Sequence, residues 1–220
     1  MTDQIRDQYF YKGEQYSLLG LTGGDLFSPQ DFGMEPFMFH TACSCGYHTV
    51  YEITDDTIYL KSLTIYDRNG RYAPIGTAIP LRAHMRPDVS LKERELRKVV
   101  LEDKVFYVSD GSSGYGNHGA QYSNMHFQLP FSGIIRLGKD EFEESPIKID
   151  IFSLLYLRND AIRYRTILDI TIEQGKVVRI NDRSTEMEEK RRAYLEQMKE
   201  KRHKDSRNKD ALDILMMELQ

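Results

Sequence analysis

Four side chains that commonly bind metals fall within nine residues of this sequence: His40, Cys43, Cys45 and His48. Imidazole and thiolate groups are ligands that zinc prefers, and four of them would complete a tetrahedral site. In an extended strand, however, side chains alternate between faces, so the cysteines would share one face and the histidines the other. An extended chain over residues 39–65 therefore predicts that these side chains do not meet and that the thiols act as small, half-buried apolar groups.

Gly46 keeps a metal site open as an alternative. A bulge at a glycine can re-aim the side chains on either side of it, which would bring thiols and imidazoles together. A disulfide between Cys43 and Cys45 would be strained in extended chain, since one residue separates them. We favour free thiols and predict no cofactor.

Two acidic residues occupy equivalent places in two similar segments. Residues 47–54 are YHTVYEIT and residues 164–171 are YRTILDIT, which aligns Glu52 with Asp169. Two carboxylates in one cleft would form the general acid and base of a hydrolase, because the charge of one raises the pKa of the other. We favour the alternative that each carboxylate binds a backbone amide or a basic side chain, as carboxylates inside β structure commonly do.

A glycine-rich loop contains the residue types of a nucleophilic triad. Residues 110–119 are DGSSGYGNHG and include Asp110, Ser112, Ser113 and His118. Serine, histidine and aspartate form the triad of many hydrolases. The loop lacks the motifs GxSxG, GxGxxG and GK[ST], which position a nucleophile or a phosphate. We therefore predict a flexible or binding loop there.

The bulk composition predicts a cytoplasmic protein. The chain has 220 residues, a net charge of −4 and 29% charged residues, so its overall charge favours neither nucleic acid nor a membrane surface. No apolar run is long enough to cross a bilayer, and the first residues lack the pattern of a signal peptide. Two cysteines one residue apart cannot supply the disulfide framework of a secreted domain. We predict no membrane partner.

Aromatic residues and turn residues predict a sheet. The chain contains 14 Tyr and 10 Phe but no Trp, and aromatic rings fit the pleated surface of strands. Turns at Lys12-Gly13 and Asp55-Asp56 each lie between two β-rich runs, which predicts two hairpins. Further strands are predicted over residues 131–180. The body is therefore predicted to be mainly antiparallel sheet.

The two similar segments raise the alternative of an internal duplication. Six of the eight aligned pairs in residues 47–54 and 164–171 are identical or chemically alike, and a turn and a second β-rich run follow each segment. Chance similarity among β-rich strands would produce the same pattern, so both explanations stay open. We predict one β-rich body over residues 1–184, in which a duplication would make two packed β units at 1–88 and 105–184.

One short internal helix is predicted over residues 89–100. Ser90 is followed three residues later by Glu93, which is the spacing of a capping box. Leu96 and the two valines that end the segment supply an apolar stripe at helical spacing.

The C-terminal tail, residues 185–220, differs from the body in composition. A capping box at Thr185 and Glu188 precedes a long run of helix-forming residues, which predicts a helical tail. Residues 199–209 contain six Lys or Arg and two acidic residues. We favour a solvated helix or linker over contact with phosphate, so no nucleic-acid partner is expected. The predicted fold is α+β, mainly antiparallel β, with the short internal helix and this tail.

The last ten residues concentrate apolar side chains that need a cover. They are Leu212, Ile214, Leu215, Met216, Met217 and Leu219. The cover would be the body of the protein, a second copy or another protein. We predict that this segment binds a second copy or another protein.

The β-rich segments together resemble a group of small uncharacterised bacterial cytosolic proteins that have two β units and a C-terminal helix. In that group a Cys-x-x-Gly-Tyr stretch begins a strand, an acidic hairpin follows, and the second unit ends on Asp-x-Ser before the helix. The matching residues here are Cys43, Gly46, Tyr47, Glu52, Asp182 and Ser184. The resemblance implies a single-domain accessory protein of the kind that serves as an immunity or antitoxin partner, and it implies no catalytic residue.

These observations favour a protein that acts without catalysis, through a protein–protein interface. The alternatives are a hydrolase that uses Glu52 and Asp169, and a metal-binding protein that uses the four residues between His40 and His48.

Overall fold

The computed structural model describes residues 5–38, 41–82, 96–108, 119–142, 160–193 and 196–197. The chain divides into two compact units. The first comprises residues 1–137 and 170–180, and the second comprises residues 138–169 and 181–220.

The described residues contain thirteen strands and two short 3-10 helices. The strands are Gln8–Tyr11 (β1), Glu14–Thr22 (β2), Tyr47–Ile53 (β3), Ile58–Ile65 (β4), Arg71–Tyr72 (β5), Leu81–Arg82 (β6), Arg97–Leu101 (β7), Lys104–Val108 (β8), Ala120–Tyr122 (β9), Phe127–Gln128 (β10), Gly133–Glu141 (β11), Tyr164–Glu173 (β12) and Lys176–Asp182 (β13). The 3-10 helices are Pro29–Phe32 and Asp160–Arg163. An α-helix, α1, covers residues 184–193.

The strands form a large mixed sheet and a small antiparallel one. The large sheet has the order β13-β12-β11-β2-β1-β3-β4-β9-β6, with β10 also paired to β4. The small sheet has the order β5-β8-β7. Strand content of this extent beside one C-terminal helix confirms the predicted α+β class. No helix among the described residues has both the length and the apolar character that a bilayer crossing requires.

Both predicted hairpins are confirmed. β1 and β2 are antiparallel around Lys12-Gly13, and both turn residues have the positive φ that such a turn requires. β3 and β4 are antiparallel around the turn at residues 54–57. The parallel pairing of β1 with β3 is an additional feature that joins the two hairpins and stacks Tyr9 on Tyr51, with ring centroids 5.1 Å apart.

The core of the first unit follows the period of the strands. In β4 the residues with no exposed surface are Ile58, Leu60, Leu63 and Ile65. The spacing changes from two to three in the middle of the strand because the β3–β4 register shifts between Val50 and Tyr51. A bulge of this kind keeps apolar side chains inside on both sides of the shift.

The turns of the two similar segments meet in the first unit. The amide of Ile58 donates to the carbonyl of Gly175 over 3.2 Å, and the amide of Val177 donates to the carbonyl of Asp56 over 2.8 Å. A Cβ on Gly175 would lie 2.1 Å from the carbonyl oxygen of Leu129, so only glycine fits there. The turns that follow the two similar segments are thus in direct contact, while the origin of the segments by duplication stays a prediction.

The predicted internal helix is wrong where the structure describes it. Residues 97–101 form strand β7, in which Val99 pairs with Phe106 and Val100 with Val105. β-branched and aromatic partners across a ladder outweigh a local capping signal. Residues 89–95 of the prediction, with Ser90 and Glu93, lie outside the described residues.

The second unit contains the C-terminal helix, which begins one residue earlier than predicted. Asp182 accepts a hydrogen bond from the amide of Ser184 over 2.9 Å and so caps α1, whereas Thr185 lies inside the helix. Arg191 on α1 is buried, and its guanidinium donates to the carbonyl of Tyr164 over 2.5 Å and lies 4.4 Å from the ring of Phe142. This contact fixes the helix to β12 within the second unit.

Candidate functional site

The prediction of extended chain from residue 39 is wrong at residues 41–46, which form a turn before β3 begins at Tyr47. Gly46 has a φ of +81°, and a Cβ on it would come within 2.5 Å of the backbone of Phe37. Its amide donates to the carbonyl of Cys43 over 3.2 Å. The left-handed conformation of Gly46 therefore reverses the chain immediately before the strand.

This turn brings the two thiols to one oxygen atom. The Sγ atom of Cys43 lies 3.5 Å from the carbonyl oxygen of Tyr47, and the Sγ atom of Cys45 lies 2.8 Å from the same oxygen. Cys43 is buried and Cys45 is exposed, and both are free thiols. Burial raises the pKa of Cys43 to about 11, and the charge of the neighbouring Cys45 is the second largest contribution to this increase. Cys43 is therefore protonated at neutral pH.

The complete histidine and cysteine set is not assembled by the residues that the structure describes. His40 lies outside them, and His48 is a half-buried residue of β3. Within the described ranges no three His, Cys, Asp or Glu side chains are grouped closely enough to hold a metal ion.

The neighbourhood of Cys43 is acidic and phenolic. Asp7 accepts a hydrogen bond from the amide of Thr49 over 2.8 Å. Burial raises the pKa of Tyr47 to about 12, and the charge of Asp7 adds to that effect. The same carboxylate contributes, after burial, to the raised pKa of Tyr9. No local sequence signal marks Asp7, because only the parallel pairing of β1 with β3 brings it here.

Each carboxylate of the candidate hydrolase pair contacts a basic side chain of its own unit. Glu52 on β3 lies 3.2 Å from Nζ of Lys61 on β4. Asp169 on β12 lies 3.1 Å from the guanidinium of Arg183, which also binds Glu186 at the start of α1. These pairs join neighbouring elements, which is the structural role that we favoured for both residues.

An open cavity of about 590 Å³ lies between two turns of the first unit. Its lining residues are Ile75, Gly76, Thr77, Ala78, Ser123, Asn124, Met125, His126 and Phe127. The ring of His126 lies 6.0 Å from the ring of Tyr59. No local sequence signal marks this cavity, because its two walls are 45 or more residues apart in the chain.

The hairpin of β7 and β8 presents an unusual surface. In β7, Val100 is 60% exposed and Leu101 is 39% exposed. The turn that joins the strands consists of Glu102 and Asp103, with φ values of 50° and 60°. Two successive non-glycine residues in the left-handed region define a type I′ turn that carries acidic side chains in place of the usual Asn-Gly.

Several predicted residues lie outside the described part of the chain. They are the loop residues Asp110, Ser112, Ser113 and His118 and the tail residues Leu212, Ile214, Leu215, Met216, Met217 and Leu219. Comparisons with protein-family models, with curated proteins and with solved structures find no match to this chain.

Proposed function

We propose that this protein acts without catalysis by binding another protein, as immunity and antitoxin partners do. The observation that carries the proposal is the exposed edge of the β7–β8 hairpin. The free thiols of Cys43 and Cys45 agree with a reducing compartment, and on that ground we place the protein in the cytoplasm.

The first feature of this hairpin is the exposure of its side chains. Every residue of β7 except Val99 is exposed, and β8 is at best half-buried. The ribbon of β7 and β8 is extended, among the described residues, by the two-residue strand β5, and with this little burial it has few apolar contacts of its own. Exposed valine and leucine side chains on such a ribbon gain free energy when a partner covers them.

The backbone of β7 is also available. Among the described residues, β7 has β8 as its one neighbour and forms an edge of the small sheet. An edge strand can pair with an extended segment of another chain, in which case backbone hydrogen bonds supply affinity and the side chains supply specificity. The C-terminal segment that contains Leu212 and Leu215 is the second binding segment in this proposal.

The test compares two valines on edge strands. Val100 of β7 is 60% exposed and Val178 of β13 is 52% exposed, so Val178→Lys is a matched control for Val100→Lys. Wild-type protein and both variants would be used to capture partners from a lysate of the source organism, and a captured partner would then be purified and titrated by calorimetry. We expect Val178→Lys to bind like the wild type and Val100→Lys to bind at least tenfold more weakly. Equal affinity of all three proteins would contradict the proposal.

One observation favours a second candidate function, the binding of a thiophilic metal ion. The turn at residues 41–46 places both sulfur atoms within 3.5 Å of the carbonyl oxygen of Tyr47. Thiolate ligands select zinc and Cu(I), and the chain offers His40 and His48 three residues from Cys43 and Cys45.

Metal analysis of the purified protein tests this second candidate. Metal binding predicts zinc or copper at a 1:1 ratio to protein, lost in both Cys43→Ser and Cys45→Ser. Protein that remains below a tenth of that ratio after incubation with Zn²⁺, and with Cu(I) under reducing conditions, would exclude it.

A further inference from the structure

Among the described residues no strand pairs with the edge of β7 that points away from β8, and this edge displays the backbone groups of two residues. Leu101 and Lys104 close a two-residue turn, so they form a hydrogen-bonded pair within the hairpin. Hydrogen-bonded and non-hydrogen-bonded pairs alternate along an antiparallel ladder. Val100 and Lys98 therefore direct their amide and carbonyl groups away from β8.

Opposite charges lie at the two ends of this segment. Residues 97–103 are Arg-Lys-Val-Val-Leu-Glu-Asp, with two bases first, three apolar residues in the centre and two acids last. The two bases begin strand β7, whereas the two acids form the turn that follows it. An antiparallel copy of β7 therefore brings the basic end of one strand next to the acidic turn of the other.

From this complementarity we infer that the partner of β7 is the β7 strand of a second copy of this chain. The inference rests on the proposed function, in which the same hairpin is the binding surface. The two strands pair antiparallel about a two-fold axis at Val99 and join the two small sheets into one. This register sets Lys98 of each copy opposite Val100 of the other, so that every outward backbone group of both residues is paired.

The side chains fit the same register. Each exposed Val100 lies against the aliphatic stem of the opposite Lys98, and the two Val99 side chains face each other across the axis. Arg97 lies opposite Leu101, the last residue of the other β7, so Arg97 and Lys98 of each copy lie next to the acidic turn, Glu102 and Asp103, of the other. In contrast, a parallel arrangement would set the two bases beside each other and the two acids beside each other, which like-charge repulsion disfavours.

A charge exchange tests this pairing directly. The first variant, Arg97→Glu/Lys98→Glu, has acids at both ends of β7, and the second variant, Glu102→Lys/Asp103→Lys, has bases at both ends. Molar mass would be measured by light scattering at protein concentrations from about 1 µM to about 100 µM. The upper end is needed because interfaces of this small size are weak. Circular dichroism and the thermal midpoint would verify that each variant is folded.

We expect the wild type to approach the mass of a dimer at the highest concentration and each variant alone to remain a monomer. An equimolar mixture of the two variants should form a heterodimer, since each end of one variant then faces the opposite charge. The control Val178→Lys should dimerise like the wild type, and Val100→Pro, which removes an outward amide but keeps the pairing with β8, should be monomeric.

A wild type that stays monomeric at every concentration would overturn the self-pairing, and so would a mixture of variants that stays monomeric while the wild type dimerises. These outcomes are distinct from failure of the proposed function. If Val100→Lys still lost the captured partner while the wild type was a monomer, protein binding through the hairpin would stand and only its assignment to a second copy would fall.

Discussion

At the scale of single residues, the molecule depends on glycines at two positions where the backbone is approached closely. Gly46 reverses the chain before β3. The carbonyl of Gly175 accepts a hydrogen bond from the amide of Ile58 at the contact between the two turns. Neither constraint follows from the neighbouring sequence. Each depends on backbone outside the turn itself: Phe37, nine residues before Gly46, and Leu129, 46 residues before Gly175.

Gly175→Ala should destabilise the protein by about 3 kcal/mol or more, because its Cβ would lie 2.1 Å from the carbonyl oxygen of Leu129. Gly13→Ala is the matched control. Gly13 has the same φ of +78°, but its Cβ would have no atom within 4 Å among the described residues. That change should carry only the left-handed penalty of ~1 kcal/mol. Urea unfolding measures both values, and similar losses in the two variants would refute the close approach.

Buried acids with raised pKa values predict a loss of stability at alkaline pH. Burial raises the pKa of Cys43 from 9.0 to about 11 and that of Tyr72 from 10.0 to about 12. The folded state therefore holds these protons more tightly than the unfolded state. This contribution to stability is complete below pH 9 and is lost as the pH rises through 11 and 12.

The urea midpoint should be constant from pH 7 to 8.5 and should fall steadily between pH 9 and 11. A Cys43→Ala variant lacks the first of these titrations, so its midpoint should decline less over that interval. A wild-type midpoint that does not change up to pH 11 would show that the thiol and the phenols are not buried in this way.

At the scale of elements, hydrogen-bonded neighbours decide the secondary structure where local signals disagree. Residues 97–101 follow a capping box and have helical spacing of apolar residues, yet they form a strand because β8 offers a matching ladder. In the second unit the local signal and the structure agree on a helix. A helix was predicted and is present, but Asp182 caps it and the predicted Thr185 does not.

Asp182→Ala should destabilise the second unit by about 1 kcal/mol, because the amide of Ser184 then loses its cap. Asp182→Asn keeps an acceptor oxygen and should lose less. Hydrogen bonds from Ser184 lower the pKa of Asp182, so the contribution of the carboxylate is present above its unfolded pKa and is lost as the pH falls through its folded pKa. Thermal unfolding followed by circular dichroism measures the two variants, and equal losses in both would argue against the cap.

At the scale of the whole molecule, the predicted binding tail can be separated from the hairpin. Removal of residues 205–220 should leave the thermal midpoint of the remaining chain within about 2 °C of the full-length value, because the described core lies in residues 9–187. Capture of a foreign partner should fall, while self-association through β7 should be unchanged. Unchanged capture by the shortened chain would remove the tail from the proposed interface.

Local sequence signals were sufficient for much of the body. The β-rich runs on either side of Asp55-Asp56, the turn at Lys12-Gly13 and the aromatic content led to the two hairpins and to the α+β class. These features depend on backbone conformations that a few adjacent residues select, so they are readable without knowledge of the rest of the chain. The functional predictions for residues 205–220 and for the loop residues from Asp110 to His118 depend on segments outside the described residues and stay predictions.

By itself the sequence determined that residues 47–53 and 58–65 are extended, where two of the turns lie and that a helix begins near Thr185, because β-rich runs, turn residues and capping residues act over a few positions. Only the tertiary structure decided that Cys43 and Cys45 share a carbonyl oxygen, that Glu52 and Asp169 pair with Lys61 and Arg183, and that residues 97–101 form an edge strand. Those outcomes depend on which distant segments come into contact. Such contacts are set by the burial and hydrogen bonding of the folded chain as a whole.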